Sequence, residues 1–192
     1  MGKMKQRIKI DLHTHPFEAL LKQTEIRGVR DIARDAVERI IRSVQDSGLD
    51  GIAITEHNNF NWGWVASLTA ADSFADRNIL VLPGAELEFG GQHFLRIYVP
   101  ESVRRRFLFF QGKEWFTVLA HPGFYRAVEK TLIEGIPFDC VEESSVKGQF
   151  AAAGEISQQR GIPLIRTSDA RDLRDLGPWF MELEALPGKN RK

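Results

Sequence analysis

Short apolar runs alternate with amphipathic stretches along the chain, and this alternation predicts strands and helices in turn. Helices are predicted at 31–47, 64–76, 126–133 and 149–160; in the first, Ile32, Ala36, Ile40 and Val44 recur with a period near 3.6 residues. Strands are predicted for the apolar runs at 7–12, 51–55, 79–82, 85–89, 93–99, 116–120, 139–142 and 163–166. The pattern therefore predicts an alternating α/β chain.

Near-continuous apolar strands between helices are typical of α/β proteins with mainly parallel strands. The number of strands favours a barrel over an open sheet, although periodicity alone does not decide between the two. A length of 192 residues fits a single domain. We expect that domain to span 1–186 and the polar end at 187–192 to be a flexible tail.

Composition and charge narrow the class of protein. The chain has 26 basic and 26 acidic residues, and a formal charge of zero argues against strong general nucleic-acid binding. The single cysteine, Cys140, excludes an internal disulfide and a cysteine-based zinc finger; a buried thiol is the expectation. No apolar run reaches the roughly 20 residues that cross a bilayer, and no signal peptide opens the sequence. We expect a cytoplasmic protein without a membrane partner.

All five histidines stand at the ends of predicted strands, namely His13, His15, His57, His93 and His121. Two carboxylates, Glu86 and Asp169, occupy comparable positions, and in parallel α/β folds such positions converge at one edge. His-x-His on an extended segment places both imidazoles on one face, where they can share a metal ion. Imidazole and carboxylate ligands suit Zn, Mn and Fe. The alternative is that these histidines are hydrogen-bonded structural residues.

Five short motifs occur in order along the chain. They are D-L-H-T-H at 11–15, I-T-E-H-N at 54–58, G-A-E-L-E at 84–88, L-A-H-P at 119–122 and T-S-D-A-R at 167–171. Together they resemble the ordered motifs of the PHP (polymerase and histidinol phosphatase) domain, and the resemblance runs from residue 8 to about 171. It implies a distorted (β/α)7 barrel with a site for two or three metals, in a family most of whose members hydrolyse phosphoesters.

The resemblance also implies which residues are metal ligands. A first metal would be held by His13, His15, Glu86 and Asp169. A second metal would be held by Glu86, His93 and His121, with Glu86 bridging the two ions; a PHP subgroup with a histidine soon after the motif glutamate suggests His93. His57 would belong to a third site.

The third site departs from the family pattern at two places. Arg171 stands where the last motif usually has a histidine, and Leu20 and Leu21 stand where an aspartate or histidine is usual. Glu18 is a candidate replacement. We therefore expect two divalent metal ions, with a third bound weakly or absent.

Together with these residues, the resemblance implies a metal-dependent phosphoesterase that attacks a phosphomonoester or a nucleotide-type phosphodiester with a metal-activated water. The substrate would be a phosphorylated small molecule or a short nucleotide. Arg171 would stabilise charge on the phosphoryl oxygens, unless it is only a surface residue paired with a nearby aspartate. His57 would orient the phosphate or protonate the leaving oxygen.

Two other functions compete with this hypothesis. A degenerate PHP module that binds metal or a partner without catalysis is favoured by Arg171. An amidohydrolase barrel also opens with His-x-His, but such chains often need a lysine after a middle strand, and no lysine follows a predicted strand here. Assay of a generic phosphoester with added Mn would separate a phosphoesterase from a degenerate module.

Three further features have both a functional and a structural interpretation. Glu142 and Glu143 end a predicted strand, where one would hydrogen-bond a ligand histidine or both would be solvated. Arg104–Arg106 would guide an anionic substrate or, more simply, form a solvated helix face. Trp62 and Trp64 would stack on a base or sugar or pack at a helix start. The sequence does not predict the oligomeric state.

Overall fold

The computed structural model describes residues 7–23, 29–61, 64, 79–128 and 134–186. The strands are β1 (Arg7–Thr14), β2 (Gly51–Ile54), β3 (Leu80–Phe89), β4 (Gln92–Tyr98), β5 (Trp115–Ala120), β6 (Cys140–Ser145), β7 (Gly148–Gln149), β8 (Leu164–Arg166) and β9 (Met181–Glu184). The α-helices are α1 (Pro16–Gln23), α2 (Val29–Asp46), α3 (Glu101–Arg106) and α4 (Ala151–Arg160), and short 3-10 helices occur at Leu108–Phe110 and Leu173–Asp175.

The strands form one curled sheet in the order β7-β6-β5-β4-β3-β2-β1-β9, with β8 paired to β6. The chain after β8 returns to β1 through a parallel bridge between Thr14 and Ala170, and the N–H of His15 donates to the carbonyl of Ala170 at 2.8 Å. This contact closes the curled sheet into a barrel of seven strands, which are β1 to β6 and β8. The predicted α/β fold, a distorted (β/α)7 barrel, is therefore confirmed.

One strand of the barrel runs against the others. The pairings β1–β2, β2–β3, β5–β6 and β6–β8 are parallel, whereas β4 is antiparallel to both β3 and β5. A two-residue turn, Gly90–Gly91, joins β3 to β4, and both glycines have a positive φ that suits a tight hairpin. The first residues of β4 therefore lie at the same rim as the last residues of its neighbours.

The two predicted runs at 79–82 and 85–89 are one continuous strand, β3. An ideal Cβ at Gly84 would lie only 3.0 Å from the carbonyl oxygen of Arg96 on β4, so glycine permits a close approach rather than a break. Pro83 pairs with Ile54 of β2 in the parallel register. The Pro–Gly pair thus marks tight packing inside one strand, where the sequence pattern predicts two separate strands.

Apolar side chains on both faces of the strands are buried, which explains the near-continuous apolar runs. One core fills the barrel interior and includes Ile10, Leu12, Leu82, Leu95 and Val118. Two outer cores pack helices against the sheet. The α2 core joins Ile40, Ile41 and Val44 to Ile52 and Ile54, and the α4 core joins Phe150, Ala153 and Ile156 to Leu119 and Val141.

Several predicted boundaries differ from the structure. Helix α1 and strand β9 were not predicted, because α1 is only eight residues long and the β9 segment M-E-L-E offers only two apolar positions. Residues 126–128 of the predicted helix 126–133 are not helical, and 129–133 lie outside the described residues. Most of the predicted helix 64–76, Trp62 and the predicted tail 187–192 also lie outside them.

Cys140 is buried in the barrel interior, as expected for a structural thiol.

Arg104 and Arg105 lie on helix α3. Arg105 forms an ion pair with Glu101, which lies one turn earlier on the same helix. Among the helices that the structure describes, none combines the length and the apolar character of a membrane-spanning segment.

Candidate metal centre

The seven side chains that the sequence analysis predicts as metal ligands meet at one rim of the barrel. His13 lies near the end of β1, Glu86 lies within β3, and His121 directly follows β5. His93 lies at the start of β4, which reaches the same rim because that strand is antiparallel. The remaining members follow the ends of β1, β2 and β8; they are His15, His57 and Asp169.

The first ligand set is His13, His15, Glu86 and Asp169, whose ligand atoms lie within 4.8 Å of one another. The Nε2 atoms of His13 and His15 are 3.3 and 3.1 Å from Oε2 of Glu86, and 3.6 and 3.4 Å from Oδ1 of Asp169. All four side chains are buried.

Five buried side-chain atoms of this set make no hydrogen bond within the described part of the chain. They are Nε2 of His13, both ring nitrogens of His15, Oε2 of Glu86 and Oδ2 of Asp169, the last of which forms an ion pair with Lys147. Buried polar atoms without partners are rare because each costs free energy. Imidazole nitrogens and carboxylate oxygens that converge in this way fit a divalent cation such as Zn, Mn or Fe.

The second ligand set is Glu86, His93 and His121. Nδ1 of His93 is 2.5 Å and Nε2 of His121 is 2.8 Å from Oε1 of Glu86. The two oxygens of Glu86 therefore face different sets: Oε2 faces His13 and His15, and Oε1 faces His93 and His121. This is the arrangement that a bridging carboxylate requires.

A third set combines His15, Glu18 and His57. Glu18 accepts hydrogen bonds from the backbone N–H of His57 at 2.9 Å and from its Nδ1 at 2.8 Å. On the other side of the imidazole, Nε2 of His57 is 3.1 Å from Nη2 of Arg171. Arg171 thus places a fixed positive charge directly against this set.

Leu20, at one of the two positions that depart from the family pattern, does not lie in the cluster. It is buried in the α2 core, and the side chain of Leu21 lies outside the described residues. Glu18, in the first turn of α1, reaches the site instead.

Glu142 hydrogen-bonds to two of the candidate metal ligands, His13 and His121. It is fully buried, accepts from Nδ1 of His13 at 2.9 Å and from the backbone N–H of His121 at 2.6 Å, and contacts Oγ1 of Thr167. A carboxylate on Nδ1 orients the ring and leaves Nε2 free for a metal. Glu143 instead pairs with Arg166 at the surface, because successive side chains of β6 face opposite sides.

Two further carboxylates hydrogen-bond to the backbone of the loops that carry the metal centre. Sequence reasoning did not identify either of them as a site residue. Asp11 accepts from the backbone N–H groups of His13 and Ser168, and Glu56 accepts from those of Phe17 and Glu18 at the start of α1. Burial raises the pKa of Asp11 to about 7 and the pKa of Glu56 to about 8. Asp11 opens the D-L-H-T-H motif, so the motif itself was the available signal.

The electrostatics of the first set couple proton binding to metal binding. Burial opposes protonation of His13, but the charges of Asp169, Glu142 and Glu86 outweigh it and raise the pKa of His13 well above its ordinary value. Burial alone would raise the pKa of Glu86, yet the charge of His13 and hydrogen bonding from His121 hold it well below its usual range. A proton and a metal therefore compete for these nitrogens.

Two members of the ligand sets have a left-handed backbone. His121 has φ 29° and Asp169 has φ 51°, in a region that costs a non-glycine residue about 1–3 kcal/mol. The backbone N–H of His121 is held by the buried Glu142 carboxylate, which fixes this turn. Such strain persists only where surrounding contacts over-determine it, and it concentrates at functional sites.

Two cationic side chains lie beside Asp169. Nε of Arg171 is 3.4 Å from Oδ1, and Nζ of Lys147 contacts Oδ2 and donates to Oη of Tyr125 at 2.8 Å. The sequence analysis missed Lys147, because it ended the strand at residue 142, whereas β6 runs to Ser145. The expectation that no lysine follows a strand is therefore wrong.

A cavity of about 830 Å³ lies beside the cluster. Its walls include Phe124, Phe150 and Ile156, and none of the residues of the three ligand sets lines it. The rings of Phe124 and Phe150 lie 6.5 and 6.1 Å from the ring of His121, so they stand between this cavity and the second set.

No protein-family model matches the chain, and no curated protein matches it in sequence. Solved structures do match it. A structure of a two-domain protein from Bacteroides vulgatus ATCC 8482, described as containing a predicted PHP-like metal-dependent phosphoesterase, has a TM-score of 0.58 and 16% identity over 92% of this chain. The match covers 59% of that protein, so this chain spans less than two thirds of its length.

Two further structures share the fold. PsfC from Pseudomonas syringae PB-5123 has a TM-score of 0.63 and 18% identity, covering 96% of this chain and 84% of that one. An amidohydrolase from Chromobacterium violaceum, solved with bound sulfate and no metal, has a TM-score of 0.53 and 16% identity, covering 93% and 92%. At these identities, the likeness establishes a shared fold.

Proposed function

We propose that the protein is a metal-dependent hydrolase of phosphoesters. The observation that carries this proposal is the shared carboxylate Glu86, whose two oxygens face two separate ligand sets. Two ions held side by side by a bridging carboxylate are characteristic of enzymes that hydrolyse phosphoesters. The shared fold with a protein described as a predicted PHP-like metal-dependent phosphoesterase supports the same reaction class.

The proposed ligands are His13, His15, Glu86 and Asp169 for one ion, and Glu86, His93 and His121 for the other. When bound, divalent ions such as Zn, Mn or Fe polarise a phosphoryl oxygen and lower the pKa of a water molecule toward ~7. Glu142 holds His13 with Nε2 directed at the site and so maintains the ligand geometry.

Arg171 and His57 are the proposed catalytic residues. The guanidinium of Arg171 offers a planar fork of donors for phosphoryl oxygens, and its charge does not depend on pH. His57 is held through Nδ1 by Glu18, so that Nε2 faces the cluster at 3.0 Å from Oε2 of Glu86. From this position, His57 orients the phosphate or donates a proton to the leaving oxygen.

The third set is proposed to hold a metal weakly or not at all. Arg171 lies 3.1 Å from Nε2 of His57, and a guanidinium repels a cation at that distance. Arg171 then supplies by its fixed charge the stabilisation that a third ion would supply.

The proposed substrate is a phosphorylated small molecule or a short nucleotide, bound as a phosphomonoester or a phosphodiester. Two specific observations favour other functions. Arg171 within the third set favours a degenerate module that binds metal or a partner without catalysis. Lys147 after β6, together with the shared fold of an amidohydrolase, favours hydrolysis of an amide.

Elemental analysis and a paired hydrolysis assay test the proposal. Protein purified without a chelator or a histidine tag should contain about two equivalents of Zn, Mn or Fe, as two ligand sets imply. Loaded with Mn, it should release p-nitrophenol from a phosphoester and leave a p-nitroanilide intact. Release from the anilide alone would favour the amidohydrolase. Absence of metal after incubation with each ion would favour the degenerate module.

A further inference from the structure

Two positively charged side chains lie on the solvent side of the first ligand set. The four side chains of that set are buried, whereas Lys147 keeps 16% and Arg171 keeps 35% of its side-chain surface exposed. Both cations contact Asp169, Lys147 through Oδ2 and Arg171 through Oδ1. An anion that approaches the first ligand set therefore meets these two cations before it reaches His13 and His15.

The ammonium of Lys147 is held in place although it lies on a turn. Its Nζ contacts Asp169, donates to Oη of Tyr125, and lies 5.0 and 5.6 Å from the ring centres of Tyr125 and Phe124. Cation–π contact at these distances stabilises a positive charge. An ammonium has three N–H donors, so Asp169 and Tyr125 leave one donor for a further oxygen.

The backbone around Lys147 is anchored to the segment that carries Asp169. Lys147 lies in the two-residue turn between β6 and β7, and the N–H of Val146 donates to the carbonyl of Ser168 at 3.1 Å. The N–H of Lys147 itself donates to Oγ of Ser145 at 3.2 Å. This bracing keeps Lys147 beside Asp169 without any bound ligand.

We propose that Lys147 and Arg171 together discriminate between substrates by their charge, and that they select a doubly charged terminal phosphate. The preferred substrate is then a phosphomonoester rather than a phosphodiester; this inference rests on the phosphoesterase function proposed above. The second pKa of a phosphomonoester is about 6, so it carries nearly two negative charges at pH 7, whereas a diester carries one. Attraction to each cation grows with that charge, and two partly desolvated cations enlarge the difference.

The test compares one monoester with one diester. The Mn-loaded wild type, Lys147→Met and Lys147→Arg are assayed on p-nitrophenyl phosphate and bis(p-nitrophenyl) phosphate, and metal content is measured for each. Lys113→Met is the matched control, because Lys113 pairs with Asp139 at the opposite end of β5 from His121.

The wild type should prefer the monoester. Lys147→Met should lower kcat/KM for the monoester roughly 10- to 100-fold, as loss of one charge-assisted hydrogen bond implies, and lower it far less for the diester. Lys147→Arg should restore most of the preference, and Lys113→Met should leave it unchanged. Metal content should be the same in every variant.

Three results would overturn the inference. An equal loss of kcat/KM on both substrates in Lys147→Met would mean that Lys147 does not discriminate between substrates by charge. Loss of metal in Lys147→Met would mean that it only holds Asp169, and unchanged kinetics would mean that it touches no substrate. Hydrolysis of neither substrate by the metal-loaded wild type is a different outcome, because it would remove the proposed function and this inference together.

Discussion

The first and third ligand sets are built from the same donor types but stand in different surroundings. His13, Glu86 and Asp169 of the first set are 0–1% exposed, whereas His57 and Glu18 of the third set are 30% and 27% exposed. In the first set, Arg171 and Lys147 contact only the carboxylate of Asp169, and Glu142 holds His13; in the third set, Arg171 lies 3.1 Å from a ring nitrogen of His57. Histidine and carboxylate motifs therefore predict donors, whereas burial and neighbouring charge decide whether those donors suit a cation.

Loss of a first-set ligand should have the largest effect. Asp169→Ala, or equally His13→Ala, removes one of four converging ligands and leaves the others short of a full coordination shell. We expect loss of one metal equivalent and a fall in activity of more than ~100-fold, since even residues behind the ligands matter by about 10- to 100-fold. Asp172→Ala is the matched control, because Asp172 pairs with Arg174 at the surface. Full metal content in His13→Ala would refute the ligand assignment.

Removing the support behind the first set should have the next largest effect. Glu142→Gln weakens the hydrogen bond to Nδ1 of His13, and metal affinity should fall about 10- to 100-fold. Glu143→Gln is the matched control, because it alters the same residue type at the next position, where the side chain pairs with Arg166. A competition titration against a chelator compares the two variants, and equal affinities would contradict a supporting role for Glu142.

Metal affinity should fall as the pH is lowered. The pKa of His13 is raised above its ordinary value of 6.5, so the protonated ring persists to a higher pH than in an unperturbed histidine. Since a metal must displace that proton, affinity should drop by roughly tenfold per pH unit below the raised pKa, for each proton displaced. Affinities measured by chelator competition between pH 6 and 9 check this. An affinity independent of pH throughout that range would contradict it.

Replacing Arg171, the cationic side chain beside the third set, should have the smallest effect. Arg171→His removes the fixed charge and adds a ligand beside His57 and Glu18, so metal content should rise from two toward three equivalents per chain. Arg174→His is the control, since Arg174 is exposed and pairs with Asp172. Unchanged occupancy in Arg171→His would show that repulsion by Arg171 is not what limits the third set.

The candidate site was largely predictable because its residues stand in ordered motifs at strand ends. The structure brings His13, His15, Glu86 and Asp169 together as those motifs imply. Glu18 was only a candidate, since the two residues between His15 and Glu18 do not show that α1 turns the side chain of Glu18 toward His57. Lys147 was missed because β6 runs three residues beyond its predicted end at residue 142, through polar residues that resemble a loop.

The elements with strong apolar periodicity and the polar residues at their ends were predictable, because both follow from local spacing along the chain. The antiparallel direction of β4, the contact of Glu142 rather than Glu143 with His13, and the approach of Arg171 to His57 were not predictable from that spacing. These depend on contacts between distant segments: His13 meets Glu142 across 129 positions, and Arg171 meets His57 across 114. Local periodicity specifies which face of an element is buried, but only packing of the whole barrel specifies which faces meet.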